Sequence, residues 1–277
     1  MKPLKYYFTK AKKDGFGIGQ FNFSALEQLE GIVRAAKKKK VPVIIGTSPG
    51  EAAFLGLEKI IALRNYYRSL YPSIFLNLDH GRDIKIIKKA IDLGYDCVHF
   101  DGGNLSLEKN IEITKKLVQY AHKKRCLVEG EIKSIKGGSI IHQEMIKFNS
   151  SGYENPNQAQ DFAQRTKIDS LAINIGNVHG VYKKPIKLNI KLLKEISEQV
   201  PCFLVLHGGS GTKEKDLKQA IKNGIVKINI NTELRMVWKE SLKKELNKKE
   251  IKPYRIYPKV IEEVQKRVEK KISLFKW

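Results

Sequence analysis

Short apolar runs alternate along this chain with amphipathic helical patterns, and the alternation occurs eight times. The runs are Phe16–Asn22, Val41–Ser48, Ser73–Leu78, Cys97–Gly102, Cys126–Ile132, Leu171–Gly176, Cys202–Gly208 and Val226–Ile230. Each is short, apolar at nearly consecutive positions and bounded by polar or small residues, the pattern of a strand buried on both faces. Between them, apolar residues at helical spacing predict helices near Ser24–Lys40 with Ser24 as N-cap, Glu51–Leu70, Asp83–Leu93 and Ser106–Lys124. Further helices are expected from Pro156, over Asn189–Gln199 and Lys213–Asn223, after Thr232, and finally over Pro258–Phe275. Eight such units of roughly 30 residues predict an α/β fold, a (β/α)8 TIM barrel of parallel strands forming one domain over residues 1–277. An open doubly wound sheet is the runner-up. It would place a Gly-x-Gly-x-x-Gly turn after the first strand, where this chain has Gln20-Phe21-Asn22-Phe23.

Two connections exceed the usual short loops: Lys133–Asn155, and Asn177–Leu188. Long loops after barrel strands serve as lids over a site, and the first of these is expected to do so. The formal charge of +23 raises nucleic-acid binding, but the lysines are spread over helices and loops (Lys37–Lys40, Lys123–Lys124, Lys243–Lys244, Lys270–Lys271) with no basic stripe interleaved with aromatics. The expectation is no specific nucleic acid, and a field that draws in an anionic substrate. Cys97, Cys126 and Cys202 are far apart and each begins an apolar run, as small reduced core residues do. No run approaches the roughly 20 apolar residues that span a bilayer, and Met1–Gly15 lacks an apolar leader segment, so a cytoplasmic enzyme is expected.

In barrels of this kind the chemistry sits at the carboxyl ends of the strands. Those ends read Asn22, Ser48, Asp79-His80, Asp101, Glu131, Asn177 to His179, His207 and Asn229. Three histidines among them, His80, His179 and His207, suggest a metal, because imidazoles with open coordination positions make a catalytic zinc site. No local ligand spacing supports this, so the metal depends on the barrel bringing the ends together. His99 alternates with Asp101 and is expected to point inward below the rim as a hydrogen-bonded core histidine. His122 suits a solvated helix position, and His142 falls in the long loop without an assigned role. Gly208-Gly209-Ser210-Gly211 follows the seventh strand, and Asn229-Ile230-Asn231-Thr232 ends the eighth. Backbone N–H groups there can cradle an anion, so a small phosphorylated substrate is expected.

Read in order, Leu78-Asp79-His80-Gly81, Asp101-Gly102-Gly103, Val128-Glu129-Gly130-Glu131, Ile175 to Gly180, Leu206 to Gly211 and Lys227 to Thr232 resemble the class II, metal-dependent fructose-bisphosphate aldolase family, which includes tagatose-bisphosphate aldolases. The resemblance implies a barrel, a homodimer or higher homo-oligomer, and Zn²⁺ on His80, His179 and His207. It implies a second or alternative divalent position at Asp101 and Glu131, and Asp79 as the acid handling the C4 hydroxyl proton. The dihydroxyacetone-phosphate half would lie on Gly180, Gly208, Gly209, Ser210 and Asn229, Ile230, Asn231 and Thr232, near a monovalent cation in some members. Ser48 and Asn22 match substrate-side positions. The implied reaction is reversible cleavage of fructose 1,6-bisphosphate to two triose phosphates through a zinc-stabilised enediolate, a step of sugar breakdown and synthesis.

The chain departs from the family pattern twice. Acids often follow the Gly-Gly of the long loop, whereas here Gly137-Gly138 precede Ser139-Ile140, which leaves Glu144 as the candidate C3 proton carrier. Near the end, Lys252-Pro253-Tyr254-Arg255 stands in place of Asp-Pro-Arg, one residue out of step, so Arg255 is the candidate for the distal phosphate. A Schiff-base lyase is the competing enzyme class and would need Lys227, which shares strand parity with Asn229.

Overall fold

The computed structural model describes residues 2–143, 152–183 and 187–275. All eight expected strands form: β1 (Ile18–Asn22), β2 (Val43–Thr47), β3 (Ile74–Gly81), β4 (Cys97–Asp101), β5 (Leu127–Glu131), β7 (Ser170–Ala172), β9 (Phe203–Leu206) and β10 (Ile225–Ile230). They pair in parallel and close in the order β1-β10-β9-β7-β5-β4-β3-β2, a (β/α)8 barrel. Strand alternation sorts the side chains. On the outer face, Phe21, Leu78, Val98, Phe100, Val128, Leu171, Leu206, Ile228 and Ile230 pack beneath the helices. The inner face begins apolar, with Ile18, Ile44, Phe75 and Cys97, and turns polar toward the carboxyl rim with Gln20, Asn77, His99, Glu129 and Lys227. All three cysteines are buried and free, as expected.

A helix not foreseen from sequence, α1 (Leu4–Asp14), closes the amino end of the barrel by packing Leu4, Phe8 and Ala11 onto that inner apolar layer. The helix α2 (Leu26–Lys39) starts later than expected, with Ala25 rather than Ser24 at its N-cap. Gln28 is the reason, because its Oε1 accepts the Ser24 N–H at 2.9 Å and closes the first turn. The expected helix over Glu51–Leu70 is two, α3 (Pro49–Leu55) and α4 (Leu57–Leu70). Gly56, at φ 85, breaks it in a conformation that glycine adopts without strain. Ser48 caps α3 in a reciprocal box with Glu51.

The helices α5 (Ile84–Leu93), α6 (Leu107–His122), α7 (Pro156–Thr166), α8 (Ile190–Gln199) and α9 (Glu214–Lys222) follow the expected spacing. The helix α10 (Thr232–Leu246) leaves the end of β10, and α11 (Pro253–Leu274) begins earlier than expected and packs along α2. His122 is not simply solvated, since its Nε2 lies 2.8 Å from Oδ2 of the buried Asp169. The two long connections are tied to each other by short parallel strands, β6 (Ile141–His142) and β8 (Val181–Tyr182). His142 stacks on the Tyr182 ring at 4.4 Å between centroids. The strand β7 is shorter than expected because side chains replace its ladder: Asn177 Oδ1 accepts the Ile175 N–H and Asn174 Oδ1 that of Gly176. No helix among the described residues is long and apolar enough to cross a membrane.

Candidate functional site

The end of β3 sets the geometry of the rim. The β3–β4 register shifts between Leu78 and Gly81, and His80 takes φ 54, a left-handed conformation uncommon for a residue with a side chain. Such strain persists where surrounding contacts over-determine it, and here the kink turns both Asp79 and His80 toward the rim. The His80 N–H donates to His99 Nδ1 at 3.1 Å. Its other ring nitrogen, Nε2, lies 3.4 Å from Glu131 Oε2. His99 is thus buried and hydrogen-bonded as expected, but it also stands among the rim histidines, 4.7 Å from the His80 ring and 4.9 Å from that of His207.

His80 is the centre of the cluster. Its ring lies 4.7 Å from that of His179 and 4.6 Å from that of His207, and its Nε2 is 3.0 Å from His207 Nδ1. His207 in turn rests its Nε2 on Glu129 Oε1 at 2.7 Å, while Lys227 Nζ holds the other Glu129 oxygen. Burial first, then the neighbouring His80 and His207, push the His179 pKa well down, and burial likewise lowers that of His207. Both imidazoles therefore favour the neutral, lone-pair form. Arg82 grips Asp101 Oδ2 through Nε and Nη2 at 2.9 and 2.7 Å.

Asp79 is held from two sides. Asn22 Nδ2 donates to Oδ2 at 2.9 Å and Asn229 Nδ2 to Oδ1 at 3.0 Å. Burial opposes its charge, but His80, His99 and His207 outweigh burial and keep the carboxyl well below its ordinary range. Asp79 and the three rim histidines line a cavity of ≈ 230 Å³ together with Ser48, Gly180, Gly208, Ser210, Asn229, Asn231 and Thr232. Gly180 and Gly208, both in its wall, adopt φ 95 and 70. Ser210 Oγ accepts from the N–H groups of Asn231 and Glu233, at the start of α10.

A divalent cation fits these residues. Buried atoms without a hydrogen-bond partner include His179 Nε2, His99 Nε2, Asp101 Oδ1 and Glu131 Oε2. Two groups among the described residues bring their ligand atoms within 4.8 Å of one another: Asp79, His80, His99 and His207, and His80, Asp101 and Glu131. His179 belongs to neither, although its ring adjoins that of His80. Imidazole and carboxylate donors of this mix suit zinc and its neighbours, and the Glu129 bond behind His207 is the kind of support that fixes a ligand's tautomer.

Not every anticipated residue meets here. Gly209 and Ile230 do not line the cavity, and the Ile230 side chain packs in the outer apolar layer. Asn22 does not line the cavity and reaches the site through Asp79 and Glu51. Arg255 lies on the first turn of α11, exposed and paired with Glu250, and takes no part in the cavity wall. Glu144 lies outside the described residues. Glu51 was missed, although the Ser48-Pro49-Gly50-Glu51 capping box was a readable signal. Its Oε2 accepts from Asn22 Nδ2 and the Ser48 N–H, and its Oε1 from Asn231 Nδ2 and Arg235 Nη2. Arg235, which also donates to the Ser139 carbonyl, had no signal in the sequence.

Fold and site together define an enzyme of the parallel-barrel class, its rim suited to a divalent cation and an anionic ligand. The family model for class II fructose-bisphosphate aldolase matches residues 2–277, and the chain belongs to that family of lyases. It is 35% identical over 279 residues to the 6-phospho-5-dehydro-2-deoxy-D-gluconate aldolase of Shouchella clausii, covering 99% of this chain and 94% of the relative. It is 34% identical over 248 residues to a fructose-bisphosphate aldolase of Staphylococcus epidermidis, covering 88% and 85%. Among solved structures, the YdjI aldolase of Escherichia coli K12 superposes with a TM-score of 0.85 at 30% identity, covering 99% of this chain and 97% of that one.

Proposed function

We propose that this chain reversibly cleaves fructose 1,6-bisphosphate to dihydroxyacetone phosphate and glyceraldehyde 3-phosphate. The observation that carries the reading is the meeting, in one cavity, of Asp79, three imidazoles and the anion-cradling turns at Gly180, Gly208 and Ser210. His80, His179 and His207 would hold Zn²⁺, with Asp101 and Glu131 beside His80 as a second or alternative position. When bound, the cation supplies Lewis-acid polarisation of the substrate carbonyl. The rest is done by the protein's own groups. Backbone N–H groups around Gly208 and the start of α10 bind the phosphate of the triose half. Asp79 removes the C4 hydroxyl proton and returns it in the synthetic direction, as a base adjoining a ligand can. Asn22 and Asn229 fix one carboxylate oxygen each, so the base is aimed before substrate arrives. The connection over residues 133–155, which brings Ser139 to the cavity, acts as the lid. Lys227, engaged with Glu129 beneath the rim, does not serve as a Schiff-base nucleophile.

The first relative's name supports a second reading, a 6-phosphorylated keto acid, and tagatose 1,6-bisphosphate is a third. All these substrates carry an anionic group at each end. A homodimer or higher homo-oligomer rests on the family resemblance, and a cytoplasmic setting remains an expectation drawn from the sequence. Cleavage of each substrate, before and after EDTA and with Zn²⁺ restored, tests the proposal. Fructose 1,6-bisphosphate turnover that is lost on chelation and regained with zinc supports it. Activity that survives EDTA and is trapped by borohydride overturns the metal route, and cleavage of only another ketose phosphate overturns the substrate.

A further inference from the structure

Glu51 does more than cap α3. In the box with Ser48 it accepts one backbone N–H, a task that glutamine performs as well at that helix position. Yet Glu51 is 5% exposed, a buried charge that a cap alone does not call for. Its Oε2 accepts from the Ser48 N–H at 2.7 Å and from Asn22 Nδ2 at 3.1 Å. Its Oε1 accepts from Asn231 Nδ2 at 3.2 Å and from Arg235 Nη2 at 2.6 Å. An ionised carboxylate offers about four acceptor sites, so these donors fill them. Asn22 ends β1, Ser48 follows β2 and Asn231 follows β10, three strands that are neighbours in the barrel. One buried carboxylate therefore fastens their carboxyl ends together.

The fastening runs inward to the base. Asn22 Nδ2 gives its second N–H to Asp79 Oδ2 at 2.9 Å, while Asn22 Oδ1 accepts from Gln20 Nε2 at 3.0 Å. Gln20 Oε1 in turn accepts from Asn77 Nδ2 at 2.8 Å. The Asn22 amide is thus fixed in one orientation, since turning over would set its oxygen against two carboxylates. The fastening also runs outward. Arg235, half-buried, is the one cation of the four donors, and its guanidinium is a rigid fork. While Nη2 meets Glu51, Nη1 donates to the Ser139 carbonyl at 3.3 Å. Ser139 belongs to the 133–155 connection, and both it and Arg235 line the catalytic cavity. On one side that connection is tied to the loop carrying His179, whose N–H donates to the Lys136 carbonyl at 2.9 Å, and to β8 through β6. Arg235 ties it separately to α10.

We propose that Arg235 is a positioning residue that seats the lid, and that it does so on Glu51, the carboxylate that also braces the clamp on Asp79. The role rests on the reading of this connection as a lid over an aldolase site. Arg235→Lys is the informative change, because an ammonium keeps the charge beside Glu51 but lacks the fork that reaches Ser139. In the metal-free protein without substrate, amides of residues 136–143 should exchange with D₂O about five- to ten-fold faster, as followed by mass spectrometry. The urea midpoint should stay at the wild-type value. Glu51→Gln preserves the cap, but whichever way its amide turns, an NH₂ meets donors, and the half-buried Arg235 is the one free to leave. It should speed the same amides by a similar factor with Arg235 intact. Glu51→Gln and Arg235→Lys together should add nothing further, because they cut one link twice. With zinc restored, kcat/KM for the ketose phosphate that wild type cleaves should fall by up to the same factor in each variant. Wild-type amide rates in either single variant, or additive rates in the double, overturn the seat and leave the aldolase reading intact. A lowered urea midpoint with unchanged amide rates reduces the pair to a fold stabiliser and likewise overturns it. Amides that quicken with no loss of cleavage remove the positioning role. A wild-type protein that cleaves no ketose phosphate removes the aldolase reading, whereas the amide rates still decide whether Arg235 seats the connection.

Discussion

Lys227→Met takes a charge from beneath the site while leaving a side chain of similar length. Lys227 is 1% exposed and Glu129 2%, and the ammonium is one of two groups that bond the carboxylate, the other being His207. Burial resists ionisation of Glu129, but Lys227 above all, then His207, hold it far below the usual carboxylate range. The variant strands that carboxylate, and breaking a buried pair from one side costs about 3–5 kcal/mol. Methionine retains the apolar stem, so no cavity term adds to this. At roughly 2 °C per kcal/mol for a chain of this size, Tm should fall by about 6–10 °C. Urea denaturation of the metal-stripped proteins, followed by circular dichroism, gives the number directly. Adding Glu129→Gln in the same chain removes the stranded charge, and should recover at least ~1 kcal/mol relative to Lys227→Met alone. A single variant within ~1 kcal/mol of wild type, or a double variant worse than the two singles summed, would refute the reasoning. The same protein decides the catalytic route. A Schiff-base role for Lys227 requires cleavage to vanish, whereas a supporting role leaves cleavage with zinc affinity weakened about 10- to 100-fold through His207.

Asp79→Asn should lower kcat by about 10²- to 10⁴-fold with little change in dihydroxyacetone-phosphate binding, because it removes a proton acceptor and preserves shape; an unchanged kcat would exclude Asp79 as the base. In Gly208→Ala the new Cβ would stand 2.0 Å from the Val178 carbonyl oxygen at φ 70, so the turn has to shift. A cost of about 1–3 kcal/mol and a raised KM for phosphorylated substrate are expected, and a wild-type KM would remove the turn from the anion site. Glu154 is buried, and burial raises its pKa from 4.5 to about 8. The folded protein thus holds a proton that the unfolded chain releases, and this contribution to stability is present below pH ~4.5 and lost as pH rises through ~8. Glu154→Gln should flatten that decline in denaturation midpoints measured from pH 5 to 9; an unaltered slope would place the titration elsewhere.

The strands were legible because burial on both faces makes them near-continuous apolar runs, and their polar ends followed from the barrel's own geometry. Some misses were readable in principle. Leu4, Phe8 and Ala11 stand at helical spacing in α1, and Ser48 and Glu51 spell a capping box. Others were not, because they depend on relations across the barrel. Alternation with Asp101 placed His99 inside, but only the left-handed turn at His80 brings its amide onto the His99 ring. Arg235 meets Glu51 because α10 and α3 converge over β1, and no local pattern encodes that convergence. The same distinction explains the histidine cluster. Sequence identified three imidazoles at three strand ends, yet the larger ligand group among the described residues unites His80 and His207 with Asp79 and His99, while His179 adjoins from a loop. Residue type and strand parity fix which side chains enter the barrel. Closure and one strained residue fix which of them touch, and the chemistry of the rim depends on the second.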